Sequence, residues 1–317
     1  MKKSIREAYG EALVELGLEE PRLVVLDADV SNSTRTLYFA KKFPERFFNL
    51  GIAEANMMGI AAGLALLGKI PIVNTFSFLA TLRCGDQIRT SIAYPRLNVK
   101  IAGAYGGLSD SYDGPTHHSI TDISIMRSIP NMNVLVVGAP DEVKELLRIA
   151  IKNDGPVFIR LSRGEAYPVK ELISEPPPID FGKGRILKEG EDVTIIVTGV
   201  LIERVLEASK ILENEGISTR IVEIHTIKPI DKSLILESAL KTGAIVTVEE
   251  HDIIGGLGSA VAEVISQKYS IPIEIVGIED TFTESGEYEA LLDKYGLGIY
   301  NILEKVKKVL KRMREGK

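Results

Sequence analysis

Residues 52–73 read I-A-E-A-N-M-M-G-I-A-A-G-L-A-L-L-G-K-I-P-I-V, a long run of small and apolar residues that ends in a short apolar stretch. This pattern predicts a helix from Ile52 to Leu67 and a buried strand from Ile70 to Val73. The same unit recurs along the chain, with helices at 4–17, 79–93 and 141–153 and strands at 23–26, 99–102 and 157–161. Helices that alternate with short, fully apolar strands predict a mostly parallel sheet, covered on both faces.

The alternation is interrupted at residues 174–184, S-E-P-P-P-I-D-F-G-K-G, and resumes with the strand V-T-I-I-V-T at 193–198. Proline cannot continue a helix or donate to a central ladder, so the three prolines indicate a domain boundary. We therefore predict an α/β fold of two doubly wound domains. The first domain covers 1–170, a proline-rich linker covers 171–186, and a smaller α/β domain covers 187–317.

The bulk composition of the 317 residues excludes several classes of protein. A formal net charge of −6 and a pI near 5.5 argue against nucleic-acid binding, because such a surface repels phosphate. The longest uncharged apolar stretch, residues 55–68, is shorter than the about 20 residues that cross a bilayer. The single cysteine, Cys84, suits a reducing compartment and is expected to be a small buried hydrophobe. We expect a cytoplasmic protein without a membrane segment.

Glu54 and two phenylalanines are the first candidate site residues. Glu54 lies in the first turn of the helix predicted at 52–67, where it is either a surface carboxylate or, among closely packed small residues, a site residue with a raised pKa or a hydrogen-bond partner. Phe76 and Phe78 follow a strand at the end where open α/β sheets bind ligands, although ordinary core packing explains them as well. The i, i+3 spacing of Arg83, Asp86 and Arg89 predicts a salt-bridged helix face.

A long glycine-rich loop, A-Y-G-G-L-S-D-S-Y-D-G-P-T-H-H at 104–118, follows another strand, and loops of this length are usually functional. Arg163 lies just past a further strand, where it is either a surface arginine or an anion clamp. The turn at 253–260, I-I-G-G-L-G-S-A, is either a phosphate cradle or a tight turn before a closely packed helix, and the latter is favoured. His225 and His251 match no metal-ligand spacing, so we predict no metal site in this chain.

Taken together, these segments resemble the C-terminal half of transketolase, that is, its pyrimidine-binding domain and its C-terminal domain. The resemblance covers essentially the whole chain. Residues 113–131, D-G-P-T-H-H-S-I-T-D-I-S-I-M-R-S-I-P-N, are similar to the family's D-G-P-T-H-Q run and the R-S-x-P-N that follows it. Residues 51–59, G-I-A-E-A-N-M-M-G, are similar to the family's G-I-x-E-x-x-M-x-G.

The resemblance implies a thiamine diphosphate enzyme with named roles for individual residues. Glu54 would contact N1′ of the cofactor's aminopyrimidine and promote the imino tautomer that removes the C2 proton. Asp29 would lie near the cofactor at the subunit boundary, and Phe76 would pack against the pyrimidine ring. The residues implied in substrate binding are His117 in the substrate channel, Asp113 on the sugar hydroxyls, and Arg163, Arg6 and Ser33 on the sugar phosphate.

The chain departs from the family pattern in three ways. Leu79 and Leu82 stand where the family has two aromatic residues, and Phe78 is a candidate substitute for one of them. Tyr105 stands where a further active-site histidine is typical, which leaves the sugar preference open. The family's diphosphate-binding domain, with its G-D-G motif and metal loop, has no counterpart in this sequence.

This last departure predicts a half-enzyme that is inactive alone. A separate N-terminal subunit would hold the diphosphate and its Mg2+ (or Ca2+), in an α2β2 complex with self-association at the dimer interface. Such a complex would transfer a two-carbon ketol unit from a ketose phosphate to an aldose phosphate in the pentose phosphate pathway.

Three alternatives remain open. The first is a 1-deoxyxylulose-5-phosphate synthase-like chain, whose family shows a D-G-x-T-H run. The second is a 2-oxo-acid dehydrogenase beta-like subunit, although that family lacks the run. The third belongs to another class: a non-catalytic subunit that only assembles or regulates a partner enzyme.

Overall fold

The computed structural model describes residues 1–315, so residues 316 and 317 of the predicted second domain lie outside it. Its strands are, in chain order, β1 Lys3–Ser4, β2 Leu23–Asp27, β3 Phe47–Asn49, β4 Ile70–Phe76, β5 Lys100–Ala104, β6 Asn133–Val136, β7 Val157–Arg160, β8 Glu165–Ala166, β9 Arg185–Lys188, β10 Val193–Val197, β11 Thr219–Glu223, β12 Thr226–Lys228, β13 Ile245–Asp252 and β14 Ile273–Ile278.

Its α-helices are, in chain order, α1 Ile5–Glu19, α2 Ser31–Thr34, α3 Leu37–Lys42, α4 Glu54–Leu66, α5 Gly85–Gln87, α6 Asp122–Ser128, α7 Val143–Lys152, α8 Val169–Leu172, α9 Ile202–Asn214, α10 Lys232–Thr242, α11 Leu257–Ile265, α12 Tyr288–Lys294 and α13 Ile299–Glu315. Short 3-10 helices occur at Pro44–Arg46, Gly114–Thr116 and Gly199–Leu201, and π-helical segments at Leu79–Arg83 and Ile88–Ala93. None of these helices is both long and apolar enough to traverse a bilayer.

The first half of the chain supplies six strands of a seven-stranded sheet in the order β12-β6-β7-β5-β4-β2-β3, in which all pairs are parallel except β12 with β6. Successive residues of β2 pack on opposite faces. Leu23 and Val25 belong to the core beneath α1 and α7, whereas Val24 and Leu26 belong to the core beneath α4 and α6. The predicted doubly wound arrangement is confirmed for this half.

The second half forms a five-stranded sheet in the order β14-β13-β10-β11-β9, parallel except for β9. Helices α9 and α13 cover one face, and α10 and α11 cover the other. One apolar core contains both Val73 of the first sheet and Ile196 of the second. Strand β12 also pairs with β6, so the second half supplies an edge strand to the first sheet. The exact domain limits that we drew from the prolines stay a prediction.

Two local features differ from the sequence prediction. The helix predicted at 79–93 is present but irregular: it consists of a π-helical segment, the short α5 and a second π-helical segment, with wide i, i+5 bonds such as Tyr94 N–H to the Arg89 carbonyl. Irregular helical turns like these are frequent at functional sites. Strand β6, which only four residues form, was not predicted.

Candidate active site

The first sheet gathers the candidate residues at one edge. Strands β2, β4, β5 and β7 are mutually parallel in this sheet, so their carboxyl ends meet there. Phe76 is the last residue of β4 and Phe78 follows it, and the segments after β2, β5 and β7 carry Asp29, Tyr105 and Arg163 respectively. In an open α/β sheet this edge is where ligands bind.

An aromatic group forms the floor of this edge. The Phe76 ring stacks on Tyr105 with centroids 4.8 Å apart and an interplanar angle of 14°. His117 meets Phe76 edge-on at 6.0 Å and lies 5.4 Å from the Phe78 ring. Both phenylalanines are half-buried rather than enclosed, so they are not ordinary core residues. The structure thus brings Phe76, Phe78 and His117 together.

Tyr105 joins the arginines to this group. Arg6 Nη1 donates to the Tyr105 hydroxyl at 3.2 Å, and that hydroxyl donates to the Ser33 carbonyl at 3.4 Å. The Arg163 guanidinium carbon lies 5.2 Å from the Tyr105 ring centroid, a cation–π contact. Arg6, Ser33 and Arg163, which are far apart in sequence, therefore surround one phenol ring.

Tyr105 adopts a strained backbone. Its φ is +61°, a left-handed conformation that an aromatic residue rarely adopts. Neighbouring hydrogen bonds hold the chain there, among them Gly106 N–H to the Leu161 carbonyl at 2.9 Å. Strain of this kind persists where the surroundings enforce it, commonly at functional sites. Tyr105 is thus held against Phe76 by its own backbone conformation.

Asp110, a residue that no sequence motif singles out, is buried within the loop at 104–118. The Asp110 carboxylate pairs with Arg163 at 3.0 Å, and its backbone carbonyl accepts from Asp113 N–H at 3.0 Å. Burial, followed by the nearby charge of Asp113, raises the pKa of Asp110 to about 6. The His117 N–H donates to the Gly114 carbonyl at 2.9 Å, which closes the turn that carries His117. Backbone hydrogen bonds of this turn, rather than the Asp110 carboxylate, therefore place Asp113 and His117.

The second half of the chain braces this loop from outside. Gly286 N–H donates to the Ser111 carbonyl at 3.0 Å, and His118 Nδ1 lies 2.5 Å from the Thr283 hydroxyl. Burial lowers the pKa of His118, which favours the neutral ring. A side chain at Gly114, whose φ is +75°, would collide with Ser285. His118 is therefore a contact between the two halves, whereas its neighbour His117 faces the aromatic group.

A buried network of charges lies beneath the loop. Glu250 Oε1 accepts from Leu108 N–H at 2.7 Å and from the Tyr288 hydroxyl at 3.0 Å. Arg160 donates to the Glu250 carbonyl at 2.8 Å and to the Asp122 carboxylate at 2.8 Å. Burial raises the pKa of Glu250 to about 7, against the opposing effect of Arg160. The strand ends of both sheets are thus tied to the base of the loop.

The remaining histidines and the glycine-rich turn have structural roles. His251 Nε2 accepts from Ser124 N–H at 3.3 Å, and no group of His, Cys, Asp or Glu in residues 1–315 has a metal-binding arrangement. Glu249 accepts from the N–H groups of Leu257 and Gly258 at 2.6 and 2.8 Å. The chain's own carboxylate thus occupies the start of α11, where a phosphate would otherwise bind. The turn at 253–260 is a packing turn.

Glu54 is the first residue of α4 and is buried, so its interpretation as a surface carboxylate is wrong. The predicted hydrogen-bond partner is present: Arg83 Nη1 donates to Glu54 Oε2 at 2.9 Å. Arg83 therefore does not belong to a salt-bridged face with Asp86 and Arg89, as its spacing had suggested. Burial, and next the charge of Glu54, raises the pKa of the enclosed Cys84 thiol to about 12.

Asp29 and Glu54 have hydrogen-bond partners outside the aromatic group. Asp29 is exposed, has a left-handed φ of +65° and accepts from the Asn49 side chain at 2.8 Å. Within the described residues, neither carboxylate has a polar contact with Phe76, His117, Arg6 or Arg163. The side chains predicted to bind substrate contact one another directly, whereas these two carboxylates are held by other partners, Asn49 and Arg83.

Comparison with known proteins places both halves of the chain in one family. Residues 1–168 match the family model of the transketolase pyrimidine binding domain, and residues 182–302 match that of the transketolase C-terminal domain. These two matches together cover most of the chain.

Similar sequences agree with this family. A protein of Methanocaldococcus jannaschii named as a transketolase C-terminal section is 46% identical over 311 residues, which is 98% of this chain and 97% of that protein. A 6-deoxy-6-sulfo-D-fructose transketolase subunit from a Clostridium species is 39% identical, over 97% of this chain and 95% of the subunit. The 1-deoxy-D-xylulose-5-phosphate synthase of Dictyoglomus turgidum is 40% identical over 96% of this chain but only 49% of the synthase.

Solved structures give the same result. A split gene transketolase, described as an inactive beta4 tetramer, superimposes with a TM-score of 0.88 and is 50% identical, with 97% of this chain and 98% of the other covered. Transketolase from Campylobacter jejuni shares the fold with a TM-score of 0.83 at 22% identity, over 97% of this chain and 47% of that one. The chain belongs to the transketolase family, as the C-terminal section of a split transketolase.

Proposed function

We propose that this chain is the C-terminal subunit of a thiamine-diphosphate-dependent transketolase that is active only with a separate N-terminal subunit. The complex transfers a two-carbon ketol unit from a ketose phosphate to an aldose phosphate. The observation that carries the proposal is the convergence of His117, Arg6 and Arg163 on the Phe76–Tyr105 stack at the carboxyl edge of the sheet. Two cations beside a rigid aromatic floor suit an anionic, polyhydroxylated substrate.

The residues present fit one end of the cofactor. The buried Glu54 carboxylate at the start of α4 suits the aminopyrimidine N1′, and the half-buried Phe76 and Phe78 suit the flat ring. When bound, thiamine diphosphate supplies the group that stabilises the carbanion of ketol transfer. Glu54 would hold the proton at N1′, and Arg83, half-exposed beside it, would keep the carboxylate in place. Asp29 lies at the boundary with the neighbouring subunit.

We assign the substrate roles as follows. Arg163, Arg6 and Ser33 hold the sugar phosphate, since guanidinium groups match its geometry. Asp113 accepts hydrogen bonds from the sugar hydroxyls. His117 lies beside the reacting carbon, where an imidazole can accept or donate a proton near neutral pH.

The N-terminal subunit holds the diphosphate and its Mg2+ or Ca2+, in an α2β2 complex that works in the cytoplasm on the pentose phosphate pathway. Helix α4 supports a partner at this position. Its buried side carries Met57 and Met58, whereas its other side exposes Gly59 and Gly63 to open space. The apolar residues Ile52, Leu66 and Leu67 at its ends are 77%, 73% and 79% exposed. An exposed apolar face of this kind is typical of an interface.

A 1-deoxyxylulose-5-phosphate synthase-like activity is the second candidate, because such synthases are up to 40% identical to this chain. They are matched along only about half of their length, whereas the two transketolase relatives are matched end to end. A non-catalytic assembly subunit is the third candidate. It predicts that the complex keeps its activity when Glu54 is replaced by alanine.

Product analysis of the reconstituted complex tests the proposal. The chain is mixed with its N-terminal partner, thiamine diphosphate and Mg2+, and is given either a ketose phosphate with an aldose phosphate or pyruvate with glyceraldehyde 3-phosphate. We expect new sugar phosphates that differ by two carbons from the first pair and no decarboxylation of pyruvate. Turnover of the second pair alone would assign the synthase activity instead.

A further inference from the structure

Arg163 is held at two points by one short stretch of the loop. Its backbone N–H donates to the Ser109 hydroxyl at 3.0 Å, and its Nη1 donates to Asp110 Oδ1 at 3.0 Å. Its guanidinium also lies over the Tyr105 ring at 5.2 Å. The backbone of Arg163 is thus held by one contact, and its long side chain at the rim of the site by two more.

The two partners of the ion pair differ in burial. The Asp110 side chain is 1% exposed, whereas that of Arg163 is 39% exposed. A carboxylate so deeply buried is costly unless it is paired, and within residues 1–315 its second oxygen, Oδ2, has no hydrogen-bond partner. The fold thus places a poorly solvated anion behind a cation that still faces solvent.

We propose that Asp110 is a positioning residue, which fixes the Arg163 guanidinium over Tyr105 so that its remaining N–H groups receive the phosphate of the substrate. The inference rests on the proposed function, and it adds a residue to the site. Asp110 uses one of the five N–H donors of a guanidinium, which leaves the other donors for a second anion. Asp110 itself does not touch substrate, because a buried carboxylate would repel phosphate.

The loop does not depend on Asp110 for its fold. Ser109 donates to the Gly106 carbonyl at 2.7 Å, and Ser111 is bound to Gly286 at 3.0 Å, so both neighbours of Asp110 are anchored independently. Loss of the carboxylate should therefore release the arginine and leave the loop in place. The effect should appear in the binding of phosphorylated substrates and not in turnover.

The experiment compares Asp110→Ala and Asp110→Asn in the reconstituted complex, with saturating 3-hydroxypyruvate as donor. Ribose 5-phosphate and the neutral glycolaldehyde serve as acceptors. We expect Asp110→Ala to raise the KM for ribose 5-phosphate roughly tenfold, or about 1.4 kcal/mol, with kcat and the KM for glycolaldehyde unchanged. Asp110→Asn should restore most of the affinity, because its amide oxygen accepts the same N–H bond. Glu11→Ala, an exposed carboxylate on α1, is the matched control.

A double-mutant cycle decides whether Asp110 acts through Arg163. In an Arg163→Ala background, Asp110→Ala should not raise the KM for ribose 5-phosphate any further. The proposal is overturned if Asp110→Ala raises that KM equally in both backgrounds, or if it raises the KM equally for both acceptors.

Calorimetric titration of the purified chain with inorganic phosphate separates this inference from the proposed function. Asp110→Ala should weaken phosphate binding roughly tenfold, about 1.4 kcal/mol, even if the complex transfers no ketol unit. Unchanged phosphate affinity overturns the positioning role, whereas absent transfer with normal phosphate binding overturns only the transketolase assignment.

Discussion

The loop at 104–118 and helix α4 carry the two proposed parts of one site, yet the rest of the described chain covers them to different extents. The loop is enclosed by its own chain: Gly286 and Thr283 brace it from the second half, and Glu250 holds its base. Helix α4 buries Glu54 at its start but leaves Gly59 and Gly63 facing open space.

This difference indicates how the site is divided. The residues proposed to bind substrate are positioned by contacts within one polypeptide. The side of α4 that follows Glu54 presents small and apolar groups without a covering element of the described chain. We infer that the substrate part is preformed, whereas the cofactor part is completed by the partner.

Glu54→Gln should give the largest effect. The amide keeps the size of the side chain but cannot exchange a proton with N1′, so we expect kcat of the reconstituted complex to fall by about 10³-fold. The thermal midpoint of the chain should change little. Glu11→Gln on the exposed side of α1 is the control, and retention of more than a tenth of the activity by Glu54→Gln would support the non-catalytic alternative.

Gly59→Arg should disrupt the exposed face of α4 and leave the loop at 104–118 unchanged. Nothing lies within 4 Å of a side chain added at Gly59, so the chain should fold as before. A guanidinium buried in a close interface without a partner should weaken association with the N-terminal subunit by about 100-fold. Sedimentation measures the complex, and Gln267→Arg, at an exposed position next to α11, is the control. Normal assembly of Gly59→Arg would place the partner elsewhere.

Glu250→Gln should change how the stability of the chain depends on pH, and so tests the group that holds the base of the loop. The pKa of Glu250 is raised in the folded chain from 4.5 to about 7, so the folded state binds more protons than the unfolded state between these values. Wild-type stability should therefore lose the contribution of this group as pH rises from 4.5 to 7.

The glutamine variant does not titrate, and its Oε1 can keep the bonds to Leu108 and Tyr288. Relative to wild type, it should gain stability between pH 5 and pH 8, by about 2 to 3 kcal/mol. Urea midpoints at both pH values measure this difference. A constant difference would contradict the assignment.

Thr283→Val should give the smallest effect. It removes the hydroxyl that contacts His118 at 2.5 Å and keeps the shape of the side chain. Loss of one hydrogen bond, about 1 kcal/mol, should loosen the loop and raise the KM for the aldose phosphate by about threefold. Steady-state kinetics of the complex measure it. A change in kcat with unaltered KM would mean that the brace acts on a step other than binding.

Much of the fold and part of the site could be predicted from local sequence. The apolar strands and their helices follow from periodicity, and Glu54, Phe76 and His117 stand in recognisable motifs. Strand β12 could not be predicted, because its pairing with β6 joins segments from the two halves of the chain.

The same limit applies to the side chains that position the site. Asp110 pairs with Arg163, 53 residues away, and Arg83 pairs with Glu54, 29 residues away. Glu250 accepts a hydrogen bond from the N–H of Leu108, 142 residues away. These contacts depend on which strands become neighbours in the sheets, and no spacing along the chain records that order.

The central claim is that this chain is one half of an active site. Its most direct test is ketol transfer from a ketose phosphate to an aldose phosphate, with thiamine diphosphate and Mg2+, by the chain alone and after titration with the N-terminal subunit. We predict no turnover by the chain alone and activity that saturates at equal numbers of the two subunits. Robust turnover by this polypeptide by itself would contradict the account.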